Sequence, residues 1–373
     1  MYLMNGDKAV LFYDLEDMII KVIDNEYLPY PLKDYIKSTD LTNGIKGMLM
    51  NSRYIDALKD FLSNRVLNIS RSNAKAILNS AEFPATTRTQ DRIKICNACR
   101  GLSITDNFWL REDYENLLFK DVNLRNKHLY DAAFNVSILG NTLTISKEIL
   151  QPDIGVQGMF AKTWNRLDNG IELWKTDKTS ENINTKAEIR VSEILDNTNI
   201  VHVPYHAYMK DGVYIAVCPC ITNDDYSMIC AQDFKDWCIH TNKDFLSEVL
   251  RINTESFARM VVIDYLFSNT DRHLENFAFI IDNKTNAIID MAPLYDHNQA
   301  LIADVLGNDV SDLLYEPTGV SIRESALAYF DKADIFVDMD KCEKKRLFEF
   351  FGTHLPIKER FEYLKEYDKE IEK

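Results

Sequence analysis

Basic residues are in deficit in this chain: 43 Lys and Arg stand against 58 Asp and Glu, a formal net charge of −15 over 373 residues. Such a surface has no general pull toward nucleic acid or anionic membranes, so neither is expected as a direct partner. Long apolar runs are also missing. Stretches such as 260–263 are far too short to span a bilayer. Asp7, Asp14, Glu16 and Asp17 make the first residues unlike a secretory signal, and the expected location is the cytosol. Glycine and proline are scarce, 12 and 9, and no repeat, low-complexity tract or Gly/Ser linker appears, so any lobes should abut through short connections. Seven cysteines, an odd number, fit reduced thiols better than a disulfide framework. Cys96-x-x-Cys99 has no second ligand pair nearby and reads as packing. Neither a G-x-G-x-x-G nor a Walker A motif is present.

What is present exceeds one hydrophobic core, and three regions differ in texture. Residues 1–142 mix short strands (9–13 and 19–23) with helical patterns; in 54–67, Ile55, Leu58, Phe61, Leu62 and Val66 share a helical face. This region has no catalytic spacing and reads as an N-terminal α+β module. Residues 143–222 carry strand-like segments at 142–146, 158–163, 171–175, 201–209 and 213–218, the last two joined by the turn Lys210-Asp211-Gly212. One helix, with Ala187, Val191, Ile194 and Leu195 as its apolar stripe, interrupts them. Three strands, a helix and two strands are the layout of a kinase-like small lobe. Residues 223–373 are mostly helical, with an apolar helix marked by Phe257, Met260, Val261, Tyr265 and Leu266; the charge-rich tail 358–373 reads as a solvated terminal helix.

The chemistry-bearing residues follow that apolar helix. Asp271 lies on the loop leaving it, Asn276 stands five residues later, and two apolar runs, 277–281 and 287–289, flank a polar turn. That pattern is a β-hairpin, which returns the chain so that Asn276 and Asp296 become neighbours. Two converging oxygen donors suit Mg²⁺, which keeps water and phosphate oxygens in its remaining positions. The Asp-x4-Asn spacing is that of kinase catalytic loops, where the Asp accepts the proton of the attacking hydroxyl and the Asn holds metal. His273 suits a structural or phosphate-contacting role, His297 packing or hydrogen bonding, and Asp264 a structural one.

A kinase also needs a cation on the nucleotide phosphates and a carboxylate to hold it. Lys175 at a strand end and Glu188 on the following helix fit that order, with Glu193 the rival for the helix partner. Glu193 lies about 140° around the helix from Glu188, so only one of them can face Lys175. The 155–158 segment, with Gly158, is the candidate phosphate-covering loop. Lys162 reads equally as a second phosphate contact or as a solvated strand residue. Adenine should lie against Cys218-Pro219-Cys220-Ile221, where Pro219 offers no N–H.

These motifs resemble the HipA-like kinases, the toxin kinases of bacterial toxin–antitoxin modules, and particularly their shorter phage- and Firmicute-type relatives. The resemblance rests on Asn269-Thr-Asp-Arg-His273-x-x-Asn276-Phe277, Pro293-Leu-Tyr-Asp296, Gly158-Met-Phe-Ala-Lys-Thr-Trp164, the Lys175 strand and Glu188-x-x-x-Ser192-x-x-Leu195. Upstream, the segments 62–71 and 101–110 are similar to that family's N-terminal region. It implies a bilobal α+β, protein-kinase-like fold, Mg-ATP as cofactor, a protein Ser/Thr hydroxyl as acceptor, and an antitoxin-like partner through which any DNA contact would come. Relatives often autophosphorylate in the nucleotide loop. Here 153–160 holds no Ser or Thr, leaving Thr163 or Ser146 nearby. Two other readings stand beside it: a lipid or small-molecule kinase, since phosphoinositide kinases also use Asp-Arg-His-x-x-Asn, and a catalytically silent nucleotide- or antitoxin-binding module.

Overall fold

The computed structural model describes residues 1–35, 45–129, 131–167, 170–177, 179, 181–335 and 357–371. Strands β1 (Tyr2–Asn5), β2 (Lys8–Asp14) and β3 (Ile19–Val22) are joined by β4 (Phe108–Arg111) in an antiparallel sheet ordered β3-β2-β1-β4. Helices α1 (Ile45–Asn64), α2 (Ala74–Ser80) and α3 (Thr89–Ala98) cover it. The short α4 (Phe119–Val122) and α5 (Asp131–Ser137) lead to α6 (Lys147–Ile154). Leu58 and Leu62 of α1, Val10 and Leu11 of β2, and Leu150 and Ile154 of α6 are buried in one core. Cys96 and Cys99 lie in that core as free thiols, both pushed up to about 12 by burial, which leaves them protonated and unreactive.

A second antiparallel sheet runs β5 (Ala161–Leu167), β6 (Gly170–Thr176), β7 (His206–Lys210) and β8 (Val213–Pro219), in the order β5-β6-β8-β7, with α7 (Ile183–Leu195) between β6 and β7. The strand expected at 142–146 is absent: the segment is irregular, and it meets no strand with which to pair before α6 begins. Two strands, a helix and two strands therefore replace the expected three, one and two. The strand expected from Gly158 starts only at Ala161, because Gly158 takes φ +100°, outside the extended region. Residues 201–205 likewise stay out of β7; His202 and Val203 pair with Leu294 of the large lobe instead.

The large lobe contains β9 (Tyr226–Cys230), α8 (Ala231–His240), α9 (Phe245–Leu266), the hairpin β10 (Ala278–Asp282) and β11 (Ala287–Met291), α10 (Ile302–Val305), the short pair β12 (Leu314–Tyr315) and β13 (Val320–Ser321), α11 (Ile322–Ala333) and α12 (Ile357–Ile371). Helix α9 breaks at Asn253 (φ −161°), whose Oδ1 accepts the Ser256 N–H and caps the apolar half that follows. The expectation of a solvated tail is corrected for α12: Ile357 and Leu364 are buried in the large-lobe core, and Arg360 pairs with Asp304 at 2.7 Å. The last two residues of that tail, Glu372 and Lys373, lie outside the described residues. No helix among the described residues is long and apolar enough to cross a membrane.

Buried polar groups join the three regions. Asn286, at the β10–β11 turn, takes φ +54° and donates to the carbonyls of Glu26 and Leu28, 2.9 Å each. Arg71, 2% exposed, donates to the carbonyls of Asp153 (2.7 Å), Val156 (3.2 Å) and Lys162. The Asp153 carboxylate in turn accepts Ser137 Oγ (2.6 Å), Thr163 Oγ1 (2.7 Å) and the Trp164 N–H (3.0 Å). The 155–160 turn is thus held at both ends, and a Cβ at Gly155 would lie 2.8 Å from the Leu102 carbonyl oxygen.

Replacing Arg71 with Met strips a donor from three carbonyls around this turn, two of them buried. Hydrogen exchange of amides 155–162 is expected to accelerate by at least about tenfold, while β10 and β11 keep their protection. Hydrogen–deuterium exchange mass spectrometry reads the difference; equal acceleration everywhere would mean Arg71 supports global stability rather than this turn.

Candidate active site

Lys175 sits on β6 opposite Lys162 of β5 and Ala216 of β8. Cross-strand partners share a face, so the two lysines stand side by side. Lys175, 5% exposed, donates to Glu188 Oε1 at 2.6 Å and to Asp296 Oδ1 at 3.1 Å, with the Tyr205 hydroxyl at 3.5 Å. Burial works to lower its pKa, but Asp296 and then Glu188 outweigh it, so it stays protonated. Glu188 lies in the second turn of α7 and faces inward. Glu193 points outward and pairs with Arg190 at 2.7 Å, which settles the choice between the two.

Lys162 is 7% exposed rather than solvated, and among the described residues no hydrogen bond or ion pair reaches its Nζ. Burial, followed by the Lys175 charge, pushes its pKa down to about 8. Its ammonium lies against Gly158, where any Cβ would collide with it, so Gly158 is needed both for positive φ and for this close approach. A nearly buried cation with no hydrogen-bonded or ion-paired anion among the described residues carries an unmet electrostatic cost that a bound anion would offset. Thr163, a nearby candidate for autophosphorylation, is 1% exposed and hydrogen-bonded to Asp153, so its hydroxyl is out of reach; Ser146 is exposed.

Across the cleft, the loop after α9 is organised by Asp264 and Arg272, both fully buried. Arg272 Nε and Nη2 reach the Asp264 carboxylate at 2.8 and 3.1 Å. Asp264 also accepts Asn269 Nδ2 (2.7 Å) and the Tyr315 hydroxyl (2.6 Å). The remaining Arg272 nitrogen donates to the carbonyls of Asn276 and Tyr295, the latter at 2.8 Å. One guanidinium thus ties Asp271–Asn276 to the residue before Asp296. Asn276 Nδ2 donates to the Asp271 carbonyl at 2.7 Å. Asp271 is half-buried; burial raises its pKa, with His273 acting against and Asp296 adding to the rise.

Asp296 takes φ +60°, an uncommon conformation for a non-glycine residue that recurs at functional sites. Burial works to raise its pKa, yet Lys175 and then Lys162 hold it well below the carboxylate range. His273 Nδ1 accepts the Glu275 N–H at 3.2 Å, a loop-stabilising bond. His297 is buried and pushed down to about 3 by burial and then Arg272, hence neutral. Cys218 is buried, its thiol pushed up to about 12. The Cys220 N–H donates to the Ile171 carbonyl at 2.8 Å, so this backbone donor is already engaged by the sheet. Tyr205 and Arg71 meet the cluster through long-range contacts, whereas Asn298 reaches Asp296 from only two residues away, and no spacing singled out Tyr205 or Asn298.

As a donor set, Asn276 and Asp296 offer hard oxygens, and among the described residues no group of three or more His, Cys, Asp or Glu converges on a metal. That chemistry fits Mg²⁺ carried with a phosphate ligand better than a softer ion in a protein cage. Asp264→Asn, which leaves Arg272 buried beside a neutral partner, is expected to lower unfolding free energy by about 3–5 kcal/mol. Urea denaturation measures it; a change below about 1 kcal/mol would remove this pair from its central place.

No family model and no curated protein sequence matches the chain. Among solved structures, HipA from the Shewanella oneidensis MR-1 HipA, HipB and operator DNA complex is similar, with 12% identity and a TM-score of 0.50 over 99% of this chain and 95% of that one. The Helicobacter pylori proinflammatory kinase CtkA is also similar, with 15% identity and a TM-score of 0.43 over 58% of this chain and 90% of that one. The chain has the α+β, protein-kinase-like fold of HipA.

Proposed function

We propose that the protein is a Mg-ATP-dependent kinase that phosphorylates a protein Ser or Thr hydroxyl. The observation that carries this reading is the meeting of Lys175, Glu188 and Asp296 within hydrogen-bond distance, beside the unpaired Lys162 ammonium. Bound Mg-ATP would supply the transferable phosphoryl group and the cation that offsets its charge. Lys175, oriented by Glu188, and Lys162 under Gly158 would bind the phosphates. Asn276 and Asp296 would hold the cation, and Asp271 would orient the acceptor hydroxyl and take its proton. Asp271 needs little basicity for this, because the transition state is loose and positioning carries most of the rate. With the Cys220 N–H engaged and Pro219 lacking one, adenine would meet the remaining backbone groups of 218–221, beside Cys218.

The HipA neighbour comes from a complex with HipB and operator DNA. By that likeness the protein would act as the toxin of a toxin–antitoxin pair, in the cytoplasm. The charge of −15 favours DNA contact through the antitoxin rather than through this chain.

Radiolabelled γ-phosphate transfer from Mg-ATP, with purified protein alone and in cell extract, tests the reading. Asp271→Asn is expected to slow transfer by about 10²–10⁴-fold while sparing nucleotide affinity. Asp296→Asn is expected to lose both. Equal loss of affinity in the two variants contradicts the assigned roles; no transfer by the wild type to protein, with transfer to lipid vesicles, would move the acceptor class. Lys162 supplies a pH test. An anion favours its charged form, so binding takes up a proton wherever free Lys162 is neutral, above about 8. Affinity for a fluorescent ATP analogue should then weaken by up to roughly tenfold per pH unit above that point. In Lys162→Arg, which stays charged, the dependence should flatten; an unchanged slope would exclude Lys162 from the phosphate site.

A further inference from the structure

We propose that Asn298 is a third protein oxygen donor to the divalent cation, beside Asn276 and Asp296. This rests on the reading of the site as one for Mg-ATP. Asn298 lies two residues past Asp296 and is 5% exposed. Its Nδ2 donates to Asp296 Oδ1 at 2.5 Å, while its Oδ1 is buried with no hydrogen-bond partner among the described residues. An orphaned acceptor inside a folded protein calls for a partner, since buried polar oxygens are almost always satisfied.

The backbone around it is fixed. The Asn298 carbonyl accepts Asn184 Nδ2 at 3.1 Å, and the Asn184 N–H donates to Asp177 Oδ2 at 2.8 Å, pinning the loop to the first turn of α7. The amide itself can still turn about its terminal bond. With its NH₂ group toward Asp296 the carboxylate is satisfied and Oδ1 is stranded. Turned by half a rotation, Oδ1 takes the place of the NH₂ group beside the Asp296 carboxylate, where two oxygens repel unless a cation binds both. A divalent ion bound by the turned amide and by Asp296 removes that repulsion and gives Oδ1 its missing partner. Mg²⁺ prefers such hard oxygens, and an amide adds a ligand without adding charge. Sequence spacing offers no hint of this, because Asn298 reads as a turn residue.

The test is Mn²⁺ titration followed by electron paramagnetic resonance, on the full chain with a saturating non-hydrolysable ATP analogue. Asn298→Ala is expected to weaken Mn²⁺ by at least about tenfold. Asn298→Asp is expected to bind Mn²⁺ as tightly as wild type or tighter, and to gain more melting temperature on adding Mn²⁺ than wild type does. Should Ala fail to fold, the Asp comparison alone decides. Weakening of both variants alike would show that only the amide N–H matters, through Asp296, and would overturn the proposal. So would wild-type affinity in the Ala variant. If the wild type takes up no Mn²⁺ with the analogue, the Mg-ATP reading of the site fails, and this inference falls with it.

Discussion

The Asp264–Arg272 pair is the interaction on which the rest of the site depends. Neither side chain reaches solvent, and both are densely bonded: the carboxylate takes hydrogen bonds from Asn269, Arg272 and Tyr315, and the guanidinium makes four, to Asp264 and two carbonyls. Two charges in a low-dielectric interior are costly, and this pair is tolerable because hydrogen bonds occupy the carboxylate oxygens and most of the guanidinium N–H groups. What it gives in return is geometry. It fixes where α9 ends, how 269–276 turns, and where Tyr295 hands the chain to Asp296. A hydrophobic replacement of similar volume could match its stability but would leave the Asn276 and Tyr295 carbonyls without donors.

A second constraint acts from the opposite lobe. Lys162 and Lys175 are cross-strand neighbours, an arrangement that repels unless anions answer it. Glu188 and Asp296 answer Lys175, and Asp296 reaches it from the large lobe. The small lobe therefore holds the large one partly through charge, and Lys162 is left for a ligand. Arg71 completes the arrangement by fixing the turn above Lys162 from the N-terminal module. Sidedness in β5 and β6 brings these cations together, while α7, packed behind, aims Glu188 at one of them.

The local patterns were legible. The hairpin after Asn276 was legible because it is a short-range device whose geometry follows from a few residues, and it returns the chain so that Arg272 reaches the carbonyls of both Asn276 and Tyr295. The apolar stripe of α7 was legible too, but it left Glu188 and Glu193 as rivals for Lys175. Misreadings came where a segment's state depends on a partner. Residues 142–146 have strand-like character but find no strand to pair with, and 201–203 pair with Leu294 instead of extending β7. The tail looked solvated by charge count, yet a few apolar residues on α12 were enough to bury one face.

Sequence alone determined the hairpin, the direction of the α7 stripe, the glycine at 158 and the residue types available for phosphate and metal, because these follow from backbone sterics and short-range periodicity. Tertiary structure alone decided that Glu188 and not Glu193 meets Lys175, that Lys162 is buried with no hydrogen bond or ion pair to its Nζ among the described residues, that Thr163 is sealed, and that Arg71 holds the turn beside Lys162. Each of these depends on residues tens to hundreds of positions apart sharing a low-dielectric space. Burial and unpaired charge are properties of that space, and no local pattern encodes them.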